Sequence, residues 1–130
     1  MIRDELIEAA KQARSNAYAE YSVYEVGAAI ESVEGGTFVG CNVENGSFGL
    51  TICAERNAIA QMVVSGHRKL KSVVVVTKDG GSPCGACLQV MAEFADDPAA
   101  VEVGMVNENG EMQVKTLSDL LPYAFRFDSE

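Results

Sequence analysis

Apolar residues recur at helical spacing at the start of the chain. Ile2, Leu6, Ala9, Ala10, Ala13 and Ala17 fall on one face with charges between them, predicting a helix over residues 2–18. The period breaks at "AEYSVYE". "VGAAIESV" then reads as a strand, "EGG" as a tight turn and "TFVGCNV" as the hairpin partner. "ENGSFGLT" has the glycines and Asn-Gly pair of a loop. From Cys53 to Ser65 the residues favour a helix, with Gly66 placed to cap its end. "KSVVVVT" is apolar through its centre, as a strand buried on both faces would be. After the loop "KDGGSP", Cys84 to Phe94 turns helical, with Pro83 at a position proline tolerates near a helix start. "AVEVGMV", the turn "NENG" and "EMQVK" predict another strand pair, and "TLSDLLPYAF" a short helix and tail. This order points to a sheet with helices packed on it.

No repeat or linker interrupts the pattern, and 130 residues suit one core, so a single domain over residues 1–130 is expected. Nineteen acids against ten lysines and arginines give a formal charge of −9. The basic residues do not cluster, so nucleic acid and anionic membrane are poor partners and a small, weakly charged substrate fits better. The apolar runs are strand-sized, and "MIRDELIEAA" carries acids where an export signal needs an apolar stretch. The expected compartment is the cytoplasm, where cysteines remain thiols or bind metal.

The four cysteines therefore matter. Cys84 and Cys87 are three apart at a predicted helix start and so lie on one face, while Cys53 begins another predicted helix. Helix N-termini favour thiolates. Three thiolates from two such ends can converge on one Zn²⁺ and leave the fourth position open, as catalytic zinc requires. Glu55 lies two residues beyond Cys53, and only in the open first turn could it reach past the sulfur toward that position. A carboxylate there can take a proton from water and return it to a leaving group, which is hydrolytic chemistry.

"CAE" followed by "PCGAC" resembles the signature of the zinc nucleoside deaminases. "YSVYEVGAA", "GCNVENGSFGLTICAER", "SPCGACLQV" and "LLPYAF" likewise resemble stretches of the small homotetrameric cytidine deaminases, in the same order. The resemblance implies an α/β fold, a three-layer α-β-α sandwich around a mixed five-stranded sheet. It also implies a zinc site of Cys53, Cys84 and Cys87, with Glu55 shuttling protons while hydroxide on zinc attacks C4 of cytidine or deoxycytidine. Asn42 and Glu44 match residues that grip the ribose hydroxyls, and the Ala54 N–H matches a donor to the pyrimidine O2. Tyr24 stands where relatives usually stack a phenylalanine near the base, and its added hydroxyl will want a partner. Phe125 and the loop from Gly46 to Phe48 match contacts made to a neighbouring subunit, which implies a homotetramer with shared active sites. Arg56 matches an arginine that donates to the zinc thiolates and offsets their charge.

Leu88, where relatives commonly carry arginine, and Phe48, often a tyrosine, depart from the family pattern. With Tyr24 they bear on the substrate and leave the metal and Glu55 untouched. The rival within the enzyme class is a deaminase of a cytosine-containing antibiotic such as blasticidin S. Outside it stand a structural zinc module completed by Cys41 and a dithiol oxidoreductase built on "CGAC". Cys41, mid-strand, reads better as a packing residue, and His67 as a solvated or helix-capping side chain.

Overall fold

A computed structural model describes residues 1–127. Its elements are helix α1 (Asp4–Arg14), strands β1 (Gly27–Ser32) and β2 (Thr37–Cys41), helix α2 (Ala54–Val64), strand β3 (Leu70–Val76), helix α3 (Gly85–Glu93), strands β4 (Glu102–Val106) and β5 (Met112–Thr116), and helix α4 (Leu117–Leu120). The five strands form one sheet in the order β2-β1-β3-β4-β5. Every neighbouring pair is antiparallel except β3 and β4, so the sheet is mixed.

The valine run of β3 explains the layering. Val74 and Val76 face Ile2, Leu6 and Ala10 on the side of α1, whereas Val73 and Val75 face Ala58, Ile59, Met62 and Met91 of α2 and α3. Successive side chains point to opposite faces, so a strand covered on both sides is apolar at every position. The result is the three-layer α-β-α sandwich around a mixed five-stranded sheet.

Two glycines set how closely the outer layers approach. A Cβ on Gly27 of β1 would lie 2.1 Å from the Ala10 carbonyl oxygen in α1. On Gly40 of β2, a Cβ would lie 2.4 Å from the Ala54 carbonyl oxygen in α2. Ala28 pairs with Gly40 and Gly27 with Cys41, so these neighbouring glycines receive helices on opposite faces.

A parallel strand pair needs a crossover, and α3 supplies it between β3 and β4. The loop leaving the carboxyl end of β3 therefore ends at the start of α3, where open α/β sheets place their ligands. α2 packs beside α3, so the two helices bring their first turns together.

The first helix is shorter than its apolar period. It ends at Arg14, not near residue 18, because the following chain pairs elsewhere: the Tyr18 N–H donates to the Asn42 carbonyl at 2.9 Å. The last helix is a single turn, closed at its start by a Thr116–Asp119 capping box. His67 lies half-buried in the loop after α2, where its N–H donates to the Met62 carbonyl at 3.1 Å and so caps that helix. Its Nδ1 lies 2.7 Å from the Ser32 hydroxyl, and its ring meets the edge of Phe38 with centroids 5.2 Å apart.

Candidate active site

Cys53 and Cys84 are the N-cap residues of α2 and α3, and neither side chain caps its helix. Their sulfurs are thus free of the usual work of that position, while Cys87 projects from the first turn of α3 and is fully buried. Sγ of Cys84 lies 3.5 Å from that of Cys87 and 4.0 Å from that of Cys53. All three sulfurs fall within 4.8 Å of one another. A tetrahedral zinc with ordinary Zn–S bonds sets its sulfurs about 3.8 Å apart, so the donor set fits one such ion.

The electrostatics agree. The Cys87 thiol beside Cys53, and after it the Arg56 guanidinium, hold the Cys53 thiol down to about 5. Cys87 is pushed far above the usual thiol range, first by its bond with Cys53 and then by burial. Of these two, Cys53 is the one held toward the thiolate, and a bound divalent cation would favour the anionic form of its sulfur ligands. Arg56 donates from Nη2 to the Cys53 sulfur at 3.4 Å. Its Nε is buried without an acceptor among the described residues, so the charge beside the sulfurs is what holds the side chain.

Glu55 is 4% exposed and lies in the first turn of α2. Burial pushes its carboxyl up to about 7, and the nearby Cys53 thiolate pushes the same way. A carboxyl that titrates near neutrality can both accept and return a proton there. Glu55, Ala54, Cys53 and Cys84 line one cavity of about 310 Å³, together with Tyr24, Asn42 and Glu44. That volume suits a small ligand.

Asn42 and Glu44 do something that sequence reasoning missed. Asn42 accepts from the Val26 N–H at 3.0 Å and donates to the Tyr24 carbonyl at 2.9 Å. Glu44 accepts from the Tyr21 and Ser22 N–H groups at 2.9 and 3.0 Å, and from the Ser22 hydroxyl. Together they hold the segment from Tyr21 to Val26 over the cavity. Their partners lie 16 to 23 residues away, so no local pattern could announce them. Each keeps capacity toward the cavity: the second Asn42 amide hydrogen and the free lone pairs of the Glu44 carboxylate.

Two residues expected to serve a neighbouring subunit lie outside the cavity of this chain. Phe125 is 73% exposed, and its backbone is held by Gln89 outside the cavity of its own chain. Phe48 is also exposed and meets Tyr21 edge to face, with centroids 6.0 Å apart. Cys41 stands apart from the sulfur cluster, so the closed four-cysteine module has no fourth thiol. The "CGAC" pair is not an isolated dithiol either, since Cys53 joins it.

Three thiols gathered at two helix starts beside a buried carboxyl group define a site suited to zinc-dependent hydrolysis. Residues 2–104 match the family described as the cytidine and deoxycytidylate deaminase zinc-binding region, and the chain belongs to that family. A curated relative named cytidine deaminase, from Halalkalibacterium halodurans, is 46% identical over 96% of this chain and 95% of its own length. The crystal structure of cytidine deaminase from Burkholderia pseudomallei superposes with a TM-score of 0.88 at 46% identity, covering 96% of this chain and all of that one. That of cytidine deaminase from Mycobacterium tuberculosis gives 0.81 at 35% identity, over 95% and 96% of the two chains.

Proposed function

We propose that the chain converts cytidine and deoxycytidine to uridine and deoxyuridine with release of ammonia, a step of pyrimidine salvage. The observation that carries this reading is Glu55: a carboxyl group 4% exposed, tuned to about 7, in the cavity that the zinc thiolates also line. Cys53, Cys84 and Cys87 would hold the zinc, which when bound would supply Lewis-acid chemistry at this site. Glu55 takes the proton from the attacking water and delivers it to N3 as the oxygen bonds to C4. It then helps the amino group leave as ammonia, so one water is consumed for each ammonia released. The Ala54 N–H donates to the pyrimidine O2, and Tyr24 offers the base an aromatic face. Asn42 and Glu44 use their remaining hydrogen-bonding capacity on the sugar hydroxyls.

The same proposal includes one domain spanning the chain and a homotetramer in which neighbours complete each site. Tyr21, Val23, Phe48 and Leu50 are exposed apolar residues near the cavity, and Phe125 is exposed and does not line the cavity of its own chain. These features suit a second copy of the chain. A ligand set of reduced thiols favours the cytoplasm, and no helix among the described residues is long and apolar enough to cross a membrane.

The experiment is ammonia release from cytidine, deoxycytidine, cytosine and blasticidin S, with Glu55→Gln as control and zinc measured in both proteins. Release from the two nucleosides, lost in Glu55→Gln while zinc stays, supports the proposal. Release from blasticidin S alone overturns the substrate, and an active Glu55→Gln overturns the proton carrier.

A further inference from the structure

Tyr24 brings a hydroxyl to a wall where an aromatic ring would serve without one, and the structure shows where that hydroxyl goes. It donates to Asp79 Oδ1 at 2.6 Å. Asp79 is not among the residues lining the catalytic cavity, so the bond reaches out of the pocket into the loop that leaves β3. That loop is well held. Asp79 Oδ1 also accepts from the Gly81 N–H at 3.1 Å and from the Thr77 hydroxyl at 3.3 Å. The Thr77 oxygen accepts in turn from the Gly80 and Gly81 N–H groups at 2.8 and 3.1 Å.

Gly81 makes the room. A Cβ there would stand 3.2 Å from the Tyr24 hydroxyl and 3.3 Å from Asp79 Oδ1, closer than such atoms ordinarily come. The other end of Tyr24 is fastened too, since its N–H donates to the Ser22 hydroxyl at 3.0 Å and its carbonyl accepts from Asn42 at 2.9 Å.

We propose that Asp79 is a positioning residue: by holding the Tyr24 hydroxyl it fixes the aromatic ring in the wall of the catalytic cavity. The proposal rests on the reading of Tyr24 as part of the nucleoside pocket. Tyr24 is 37% exposed, so water could satisfy its hydroxyl. What the carboxylate adds is direction, because a charged acceptor on a fixed loop sets where the ring stands and a water does not. The two ionisation states agree with the bond. The phenol is held above its ordinary range by burial and then by Asp79, and the Asp79 carboxyl is held below its own, foremost by Tyr24. Donor and acceptor therefore persist through neutral pH. A fixed wall lowers the ordering that substrate binding must accomplish, so the effect belongs to KM and not to the chemical step.

The test is steady-state kinetics on cytidine for the parent, Tyr24→Phe, Asp79→Ala, Asp79→Asn and the Tyr24→Phe/Asp79→Ala pair, each with zinc content measured. Tyr24→Phe and Asp79→Ala each raise KM about three- to tenfold, with kcat within about twofold and zinc at the parent level. The double variant is no worse than either single one, and Asp79→Asn, whose amide oxygen still accepts, recovers most of the loss. Tyr24→Phe leaves the loop's own bonds intact, so it reports even where Asp79→Ala folds poorly. A Tyr24→Phe enzyme with the parent's KM, or additive effects in the pair, overturns the positioning role while the deaminase stands. A parent inert toward cytidine instead overturns the proposed function, and this role with it.

Discussion

Gly40→Ala adds one methyl group to β2 and should disable the site without touching it. The new Cβ would stand 2.4 Å from the Ala54 carbonyl oxygen and 2.6 Å from the Ala58 N–H nitrogen, where ordinary contact begins at 3.4 Å. Both atoms belong to the backbone of α2, so no side-chain rotation relieves the overlap, and the helix must retreat by about 1 Å. Cys53 is the N-cap residue of that helix and Glu55 lies in its first turn, whereas Cys84 and Cys87 lie at the start of α3. The retreat therefore separates one sulfur and the Glu55 carboxyl group from the other two sulfurs. Overpacking of this kind costs about 1–3 kcal/mol, a fall in Tm on the order of 5 to 10 °C. A misplacement of about 1 Å costs on the order of 100-fold in rate.

Gly27→Ala is the matched control, because it overpacks the opposite layer. Its Cβ would stand 2.1 Å from the Ala10 carbonyl oxygen and 2.5 Å from the Arg14 nitrogen, both in α1. That helix carries none of the zinc thiolates and not Glu55. Thermal unfolding, zinc content and kcat for ammonia release from cytidine, measured at 25 °C where both variants are folded, separate the outcomes. Both variants lose stability, while only Gly40→Ala loses turnover and zinc affinity. A Gly40→Ala enzyme with the parent's kcat would refute the reasoning, as would a Gly27→Ala enzyme equally crippled in kcat.

Four further outcomes are expected. Arg56→Ala keeps zinc by metal analysis but lowers kcat about tenfold or more, since the thiolates lose the guanidinium that offsets their charge; unchanged kinetics would remove that argument. Cys41→Ala retains zinc and activity with a stability change under about 1 kcal/mol, and loss of the metal would bring back a closed four-cysteine site. Chelation lowers Tm by on the order of 10 °C and added zinc restores it, whereas a chelator-insensitive Tm would contradict metal binding by the three thiols. Tyr24→Phe lowers Tm at neutral pH but not at the extremes: the depressed Asp79 contributes above its ordinary range and ceases to as pH falls through its folded value, while the raised Tyr24 contributes below its ordinary 10.0 and ceases to as pH rises through its folded value. A difference in Tm that ignores pH would show that the bond is not the cause.

What the sequence revealed divides by range. The valines of β3 and the pairing of Cys84 with Cys87 were readable because period and spacing are local properties; that Cys53, 31 residues from Cys84, joins them followed from the resemblance to the deaminase signature. The early end of α1 was not readable. Ala13 and Ala17 continue the apolar period, yet the chain turns away because Tyr18 pairs with the strand-like stretch at Asn42 and Val43. Tertiary pairing overrode a weak alanine signal. His67 shows the same limit, since its partner Ser32 lies 35 residues earlier, beyond the reach of any local pattern. Asn42 and Glu44 read as sugar-binding residues, but their bonds to the Tyr21–Val26 segment follow only from how the chain returns on itself.

The two kinds of residue meet at Glu55, and the meeting explains why the site stands at this end of the sheet. Burying a carboxyl group so fully favours its neutral form, and burial is the foremost cause of its rise to about 7. On the polar face of α1 the same residue would be solvated and a weak proton carrier at neutral pH. It is buried on α2 because Gly40 lets that helix lie against β2, and because the crossover from β3 to β4 sets α3 beside it. Sulfur chemistry alone would permit a metal site wherever three thiols meet. A hydrolytic site also needs a carboxyl group that is dry enough to hold a proton and close enough to release it. Here the packing of two helices on one face of the sheet supplies both conditions, and the cavity roofed by residues 21–26 supplies the room for a substrate.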